Sequence, residues 1–227
     1  MVAGKRFPQK DEGFEIVMGK LQGKSILVVG LGNPGHQYAT HRHNLGFMVV
    51  DALSDTYGGS WAPASEKARL CKIEIESRDV LLVKPQTFMN LSGKAVEAIL
   101  RRSRANPSEM VVIHDDMDLP LGRLRIKVGG GDGGHRGVKS IADSLRFRDF
   151  IRLRLGIGRP PEGHSPENFV LSPFFPEERE TVRDIVFEAT QAISVIVVQG
   201  VTMAQNVFHS AKKENHDRPR KPIGSSV

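Results

Sequence analysis

One cysteine in 227 residues, Cys71, leaves no intramolecular disulfide to form and fits a chain that works in a reducing compartment. Without a CxxC partner it reads as a quiet thiol on a strand rather than a nucleophile. No apolar run approaches the roughly 20 residues of a membrane-spanning helix. Aromatic residues make up 6%, too few for stacking of single-stranded bases to be the obvious mode of nucleic-acid contact. G-x-S-x-G is absent, so no serine elbow is on offer. HExxH and paired CxxC, the spacings diagnostic of zinc, are absent too. The first 24 residues lack an apolar stretch of about 7–15 residues and carry acidic side chains, which excludes a secretory signal and argues against a transit peptide.

Hydrophobic residues at 39% and charged residues at 26% describe an ordinary globular domain. A net charge of +6 and a pI near 9.6 favour a polyanionic partner. Part of that charge lies in the ending "KKENHDRPRKPIGSSV", which reads either as a contributor to binding or as a soluble basic end. The division expected is an extension over residues 1–24, a domain over 25–213 and a basic disordered tail over 214–227.

Apolar runs rich in branched residues predict strands at Ile26–Val29, Leu70–Ile75, Val80–Val83, Met110–Ile113, Leu124–Val128 and Ile151–Ile157. Helical patterns lie at Leu45–Tyr57, Asn90–Ser103, Val138–Leu145, Glu177–Ile196 and Val201–Lys213. Strands alternating with helices give the α/β class: a single-domain, three-layer sandwich with a mixed, mostly parallel central sheet flanked by helices. In such sheets ligands gather at the carboxyl ends of the strands. That directs attention to "GNPGHQYATHRHN", "KPQTFMN", "HDDMD" and "GGGDGGHRG", which follow four of the strands.

The run Gly30-Leu31-Gly32-Asn33-Pro34-Gly35 matches the G-x-G-x-x-G of dinucleotide loops. Its context differs. Pro34 biases Asn33 away from helical angles, no helical stripe begins before Asn44, and the acidic ribose-binding residue about 20 residues on is missing. A tight turn presenting Asn33 and His43 to the site is the better reading.

A histidine bonded to an aspartate has a fixed tautomer and a stabilised imidazolium, which suits it to take a proton from water. His43, with Asp115, Asp116 and Asp118 in "HDDMD", offers that chemistry, and Asn33 and Asn90 offer amide donors to a carbonyl or oxyanion. A solvated loop histidine and turn-forming aspartates are the plain alternatives. A metal held among His41, His43, His114, Asp115 and His135 is a third. Arg123, Arg125 and Lys127 fall on one face of a strand, and Arg152 and Arg154 on one face of another. Beside a glycine-rich loop, these cations make either a phosphate site or a merely soluble surface.

Taken in order, "VGLGNPGHQYATHRHNLGF", "KPQTFMNLSGKAV", "HDDMDLPLGRLRIKVGGGDGGHRGVKSI" and "FIRLRLGIGRP" resemble the bacterial-type peptidyl-tRNA hydrolases, from about Ser25 to His209. The resemblance implies a monomeric, cytoplasmic α/β enzyme, without cofactor or metal, that cleaves the ester joining a peptide to tRNA. It implies His43 as the base, Asp115 as its orienting partner, and Asn33 with Asn90 on the carbonyl. Met89 would line the channel, Tyr38 would stand near the entrance, and Arg125, Lys127 and Arg154 would take the 5′ phosphate of the acceptor stem. Two positions depart from the family pattern. Arg136 stands where an asparagine is usual and, unlike an amide, cannot accept a hydrogen bond; it would instead hold a phosphate or an oxyanion. Asp132 stands where a histidine is frequent. A non-catalytic RNA-binding protein and a metal-assisted hydrolase are the competing functions.

Overall fold

Leu27, Val29 and Leu31 enter one apolar cluster while Val28 enters another, so the first strand is buried on both faces and reads as a continuous apolar run. The same split recurs along the neighbouring strands: Leu81 and Val83 against Val80 and Leu82, then Val112 against Val111 and Ile113. The computed structural model describes residues 25–210 together with Glu15, Val17 and Gly19. The expected tail over 214–227, and the rest of the expected extension over 1–24, lie outside the described residues.

The strands are β1 (Ile26–Gly30), β2 (Ala62–Ala64), β3 (Ala68–Ile75), β4 (Arg78–Pro85), β5 (Val111–Asp116), β6 (Leu124–Val128) and β7 (Ile151–Gly156). They form one sheet in the order β2-β3-β4-β1-β5-β7-β6. The central four, β4, β1, β5 and β7, are mutually parallel. The antiparallel pairings fall at the two edges, β2–β3–β4 on one side and β7–β6 on the other.

Helices α1 (Leu45–Thr56), α5 (Arg179–Gln199) and α6 (Val201–Ser210) cover one face, and α2 (Ser92–Ser103) and α3 (Arg136–Leu145) the other. A short α4 (Pro166–Val170) lies between β7 and α5. The helix after the glycine run starts at Leu45, beyond the run and two single turns of 3-10 helix at His36–Tyr38 and Arg42–Asn44. A Cβ on Gly30 would meet the Gly46 carbonyl at 2.4 Å, and one on Gly46 would meet Leu31 N at 2.5 Å. These glycines let α1 press onto the end of β1; they are not needed to cradle a phosphate.

One expectation is corrected. Val128 does not lie at the carboxyl end of the parallel strands, because β6 runs antiparallel and pairs Val128 with Ile151 at the start of β7. Side-chain periodicity carries no information on strand direction. The glycine-rich loop after β6 therefore climbs back across the sheet face to reach the site. Arg152 holds it there, donating to the carbonyls of Gly130 at 2.8 Å and of Gly131.

Candidate active site

Gly30 ends β1, Asp116 ends β5, and the segment after β4 turns at Met89–Leu91 into α2. Together with the N-terminus of α3 and with α4, these ends surround a cleft of about 270 Å³. Its wall includes Asn33, His43, Met89, Asn90, Asp115 and Arg136, the six residues expected in or beside the chemistry, together with Asp116, Asp132, His135 and Glu167. Tyr38, Arg125, Lys127 and Arg154 stand outside that wall. Tyr38 packs edge-on against His41, with ring centres 5.3 Å apart.

His43 and Asp115 are both buried, and His43 Nδ1 lies 2.9 and 3.0 Å from the two carboxylate oxygens. An ionised carboxylate only accepts, so Nδ1 carries the proton and Nε2 the lone pair. Asp115 is shared: His135 Nε2 lies 3.0 Å from its Oδ1. The His135 tautomer is set from the other side, where Gly137 and Val138 N–H donate to Nδ1 at 3.1 and 3.3 Å. His135 thus caps α3 and must donate from Nε2. Burial pushes the Asp115 carboxyl up. The electrostatic attraction of the His43 and His135 N–H groups and the hydrogen bonds they donate outweigh burial and hold it well below the usual carboxylate range.

Beneath them His114 is buried, donating from Nδ1 to the Asp115 carbonyl at 2.7 Å. Its Nε2 is buried without a hydrogen-bond partner. Burial, then the neighbouring His135, pulls its pKa down to about 3, so it is neutral across the physiological range.

Asn33 is set by Asn44, which the sequence reading passed over. Asn44 Oδ1 accepts from Asn33 N–H at 2.9 Å, and its amide donates to the Asn33 carbonyl at 3.0 Å. Asn33 Oδ1 accepts from Met89 N–H at 2.9 Å. That contact fixes the flip of the amide and leaves Nδ2 as its donor. Met89 is buried under the cleft, whereas Asn90 on its rim is exposed.

Among the described residues, His43, Asp115 and His135 form the one group of ligand type gathered closely enough for a metal, with donor atoms within 4.8 Å of one another. The protons stand against it. Ligation through His135 Nε2 needs a lone pair there, yet the two backbone N–H groups on Nδ1 hold the proton on Nε2. His41, His43, His114, Asp115 and His135 do not assemble as one ligand set.

Next to the cleft, the face of β6 and β7 opposite the large core carries the cations. Arg125 faces Arg154 and Lys127 faces Arg152 across the ladder. Arg154 Nε donates to Asp116 Oδ2 at 2.6 Å, which links this face to the cleft wall. Arg152 is buried and engaged with the loop carbonyls. It belongs to the scaffold rather than to a phosphate surface, a correction to its grouping with Arg154. Arg136 and Glu167, both exposed, pair at 3.1 Å across the cleft mouth.

The chain matches the family described as peptidyl-tRNA hydrolase over residues 27–216. It is 45% identical over 184 residues to the peptidyl-tRNA hydrolase of Nocardia farcinica, covering 81% of this chain and 95% of that one. It is 44% identical over 186 residues to that of Thermodesulfovibrio yellowstonii, covering 81% and 98%. The crystal structure of peptidyl-tRNA hydrolase from Acinetobacter baumannii superposes with a TM-score of 0.78 at 34% identity, covering 84% of this chain and 96% of that one.

Proposed function

The chain belongs to the peptidyl-tRNA hydrolase family, and from that premise we propose a mechanism in which His43 activates water against the ester between peptide and tRNA. The chain is a hydrolase whose substrate is peptidyl-tRNA. The observation that carries the mechanism is the buried His43–Asp115 pair at 2.9 Å on the cleft wall.

Asp115 accepts a hydrogen bond from Nδ1–H, which keeps the proton on Nδ1 and directs the Nε2 lone pair of His43 to the water. Nε2 takes a proton as the water oxygen attacks the ester carbonyl. Asn33 Nδ2 and the Asn90 amide donate to the oxygen on which negative charge grows. When the tetrahedral species collapses, the C–O bond to the terminal ribose breaks, and the Nε2 proton passes to the departing ribose oxygen. The products are a tRNA with a free hydroxyl and a peptide carboxylic acid, which loses its remaining proton to solvent and leaves as the carboxylate. No covalent enzyme intermediate, metal or cofactor takes part in this scheme.

Met89 lines the floor beneath the peptide, and Tyr38 stands towards the entrance. Arg125, Lys127 and Arg154 take the 5′ phosphate of the acceptor stem, on the basic face beside the cleft. Arg136 leaves Glu167 for substrate oxygen, a phosphate or the oxyanion, once tRNA is bound. Residues 25–213 act as one catalytic domain, monomeric and cytoplasmic. Among the described residues no helix is long and apolar enough to cross a membrane.

The test is release of labelled N-acetyl-phenylalanine from its tRNA by the purified chain, with and without EDTA. Turnover that survives EDTA is the expected result. Tight tRNA binding without release would favour the non-catalytic RNA-binding reading, and loss with EDTA the metal-assisted one.

A further inference from the structure

Arg42 precedes the proposed base in sequence and is fully buried. Its guanidinium makes a two-pronged pair with Glu178, Nη1 to Oε1 at 2.9 Å and Nη2 to Oε2 at 2.6 Å. Three phenylalanine rings surround it: Phe169, Phe174 and Phe175 have centroids 4.3, 4.8 and 5.3 Å from Cζ. The backbone joins in, with Arg42 N–H donating to the Ser172 carbonyl at 3.0 Å and Phe174 N–H to that of Thr40 at 3.4 Å. Glu178 Oε2 also accepts from Phe175 N–H at 2.7 Å, which closes the strap around the guanidinium.

Arg42 is fully buried and Glu178 only partly so. Taking a guanidinium out of water is a poor way to stabilise a fold, because its desolvation offsets the attraction of its partner and apolar side chains fill such a site as well or better. What a planar fork provides is geometry. Two things are joined here. One is the 3-10 turn Arg42–Asn44, which carries His43. The other is the strap from α4 to α5, whose Pro166, Glu167, Val170 and Leu171 form the outer wall of the cleft. Arg42 itself is not on the cleft wall and cannot touch substrate.

We propose that Arg42, locked by Glu178, is a positioning residue that fixes His43 relative to the outer cleft wall. Asp115 orients the imidazole ring, and the Arg42–Glu178 fork fixes the turn that carries it. The base and the wall against which the peptide lies are thereby held in one register. The proposal deepens the hydrolase reading above and rests on it.

The test uses the full chain. Arg42→Met combined with Glu178→Leu replaces the pair by apolar side chains, a swap that buried ion pairs commonly tolerate. The unfolding midpoint is expected to stay within about 5 °C of the wild type. The kcat on N-acetyl-phenylalanyl-tRNA is expected to fall about 10-fold or more, with KM changed less than about 3-fold. Wild-type kcat in this variant would overturn the proposal, as would a loss that merely tracks the unfolding midpoint. If the double variant does not fold, Arg42→Lys keeps the charge without the fork. It should cost about 10-fold in kcat in the wild-type background and nothing further beside His43→Ala. Equal losses in both backgrounds would overturn the proposal. A wild-type chain that releases no peptide takes down this inference and the hydrolase reading together. Wild-type turnover with undiminished variants removes this inference alone.

Discussion

Asn44 grips Asn33 by both of its backbone polar groups, accepting from the N–H at 2.9 Å and donating to the carbonyl at 3.0 Å. Both residues are buried, so each lost bond leaves a backbone group unpaired away from water. Asn44→Ala is expected to lower stability by about 2 kcal/mol or more. It should also lower kcat about 10-fold, because the Asn33 amide is no longer aimed. Asn44→Asp keeps the acceptor and should fall between the two. Urea unfolding midpoints and single-turnover rates measure both effects.

The basic face beside the cleft gives a second expectation. Lys127→Ala should raise KM for peptidyl-tRNA several-fold with kcat unchanged, and lower the slope of log affinity against log salt by about 1. Arg154→Ala should cost more, since it also leaves Asp116 without the cation that pairs with it at 2.6 Å. A titration of rate against KCl for the wild type and both variants separates the contributions.

The runs that became β1, β4 and β5 were legible because burial on both faces makes a strand apolar, and β7 because Ile151, Leu153 and Leu155 alternate with Arg152 and Arg154. β2 was not: three residues, Ala62–Ala64, carry no pattern, and the five-residue α4 has the same difficulty. The direction of β6 was hidden as well, so the crossing of the glycine loop and the structural use of Arg152 came only with the sheet pairing. Within the site, His43, Asp115 and Asn33 were found through their neighbours in four motifs. His135 was read only as a possible metal ligand. Its place just before a helical pattern, where a side chain can cap free N–H groups, was the available signal. Arg42 gave none, since its burial depends on phenylalanines far along the chain.

Acid stability should depend on His114. Its folded pKa of about 3 lies below the ordinary 6.5, so between those values the unfolded chain binds the additional proton. The contribution is therefore present above about pH 6.5 and is lost progressively as pH falls towards 3. From pH 7 to 5 this one group accounts for about 2 kcal/mol of lost stability. His114→Leu should be less stable at pH 7, through loss of the bond to the Asp115 carbonyl, yet show a flatter decline between pH 7 and 5. Guanidinium unfolding at four pH values would measure the slope; an unchanged slope would place the acid sensitivity in another group.

The most direct measurement is the single-turnover release of N-acetyl-phenylalanine from tRNA by the wild type and by His43→Ala, with tRNA affinity measured alongside. A fall of about 10³-fold or more at unchanged affinity is the predicted result, since it removes the base and leaves the phosphate contacts in place. A loss of less than about 10-fold would contradict the assignment of His43 as the group that activates water.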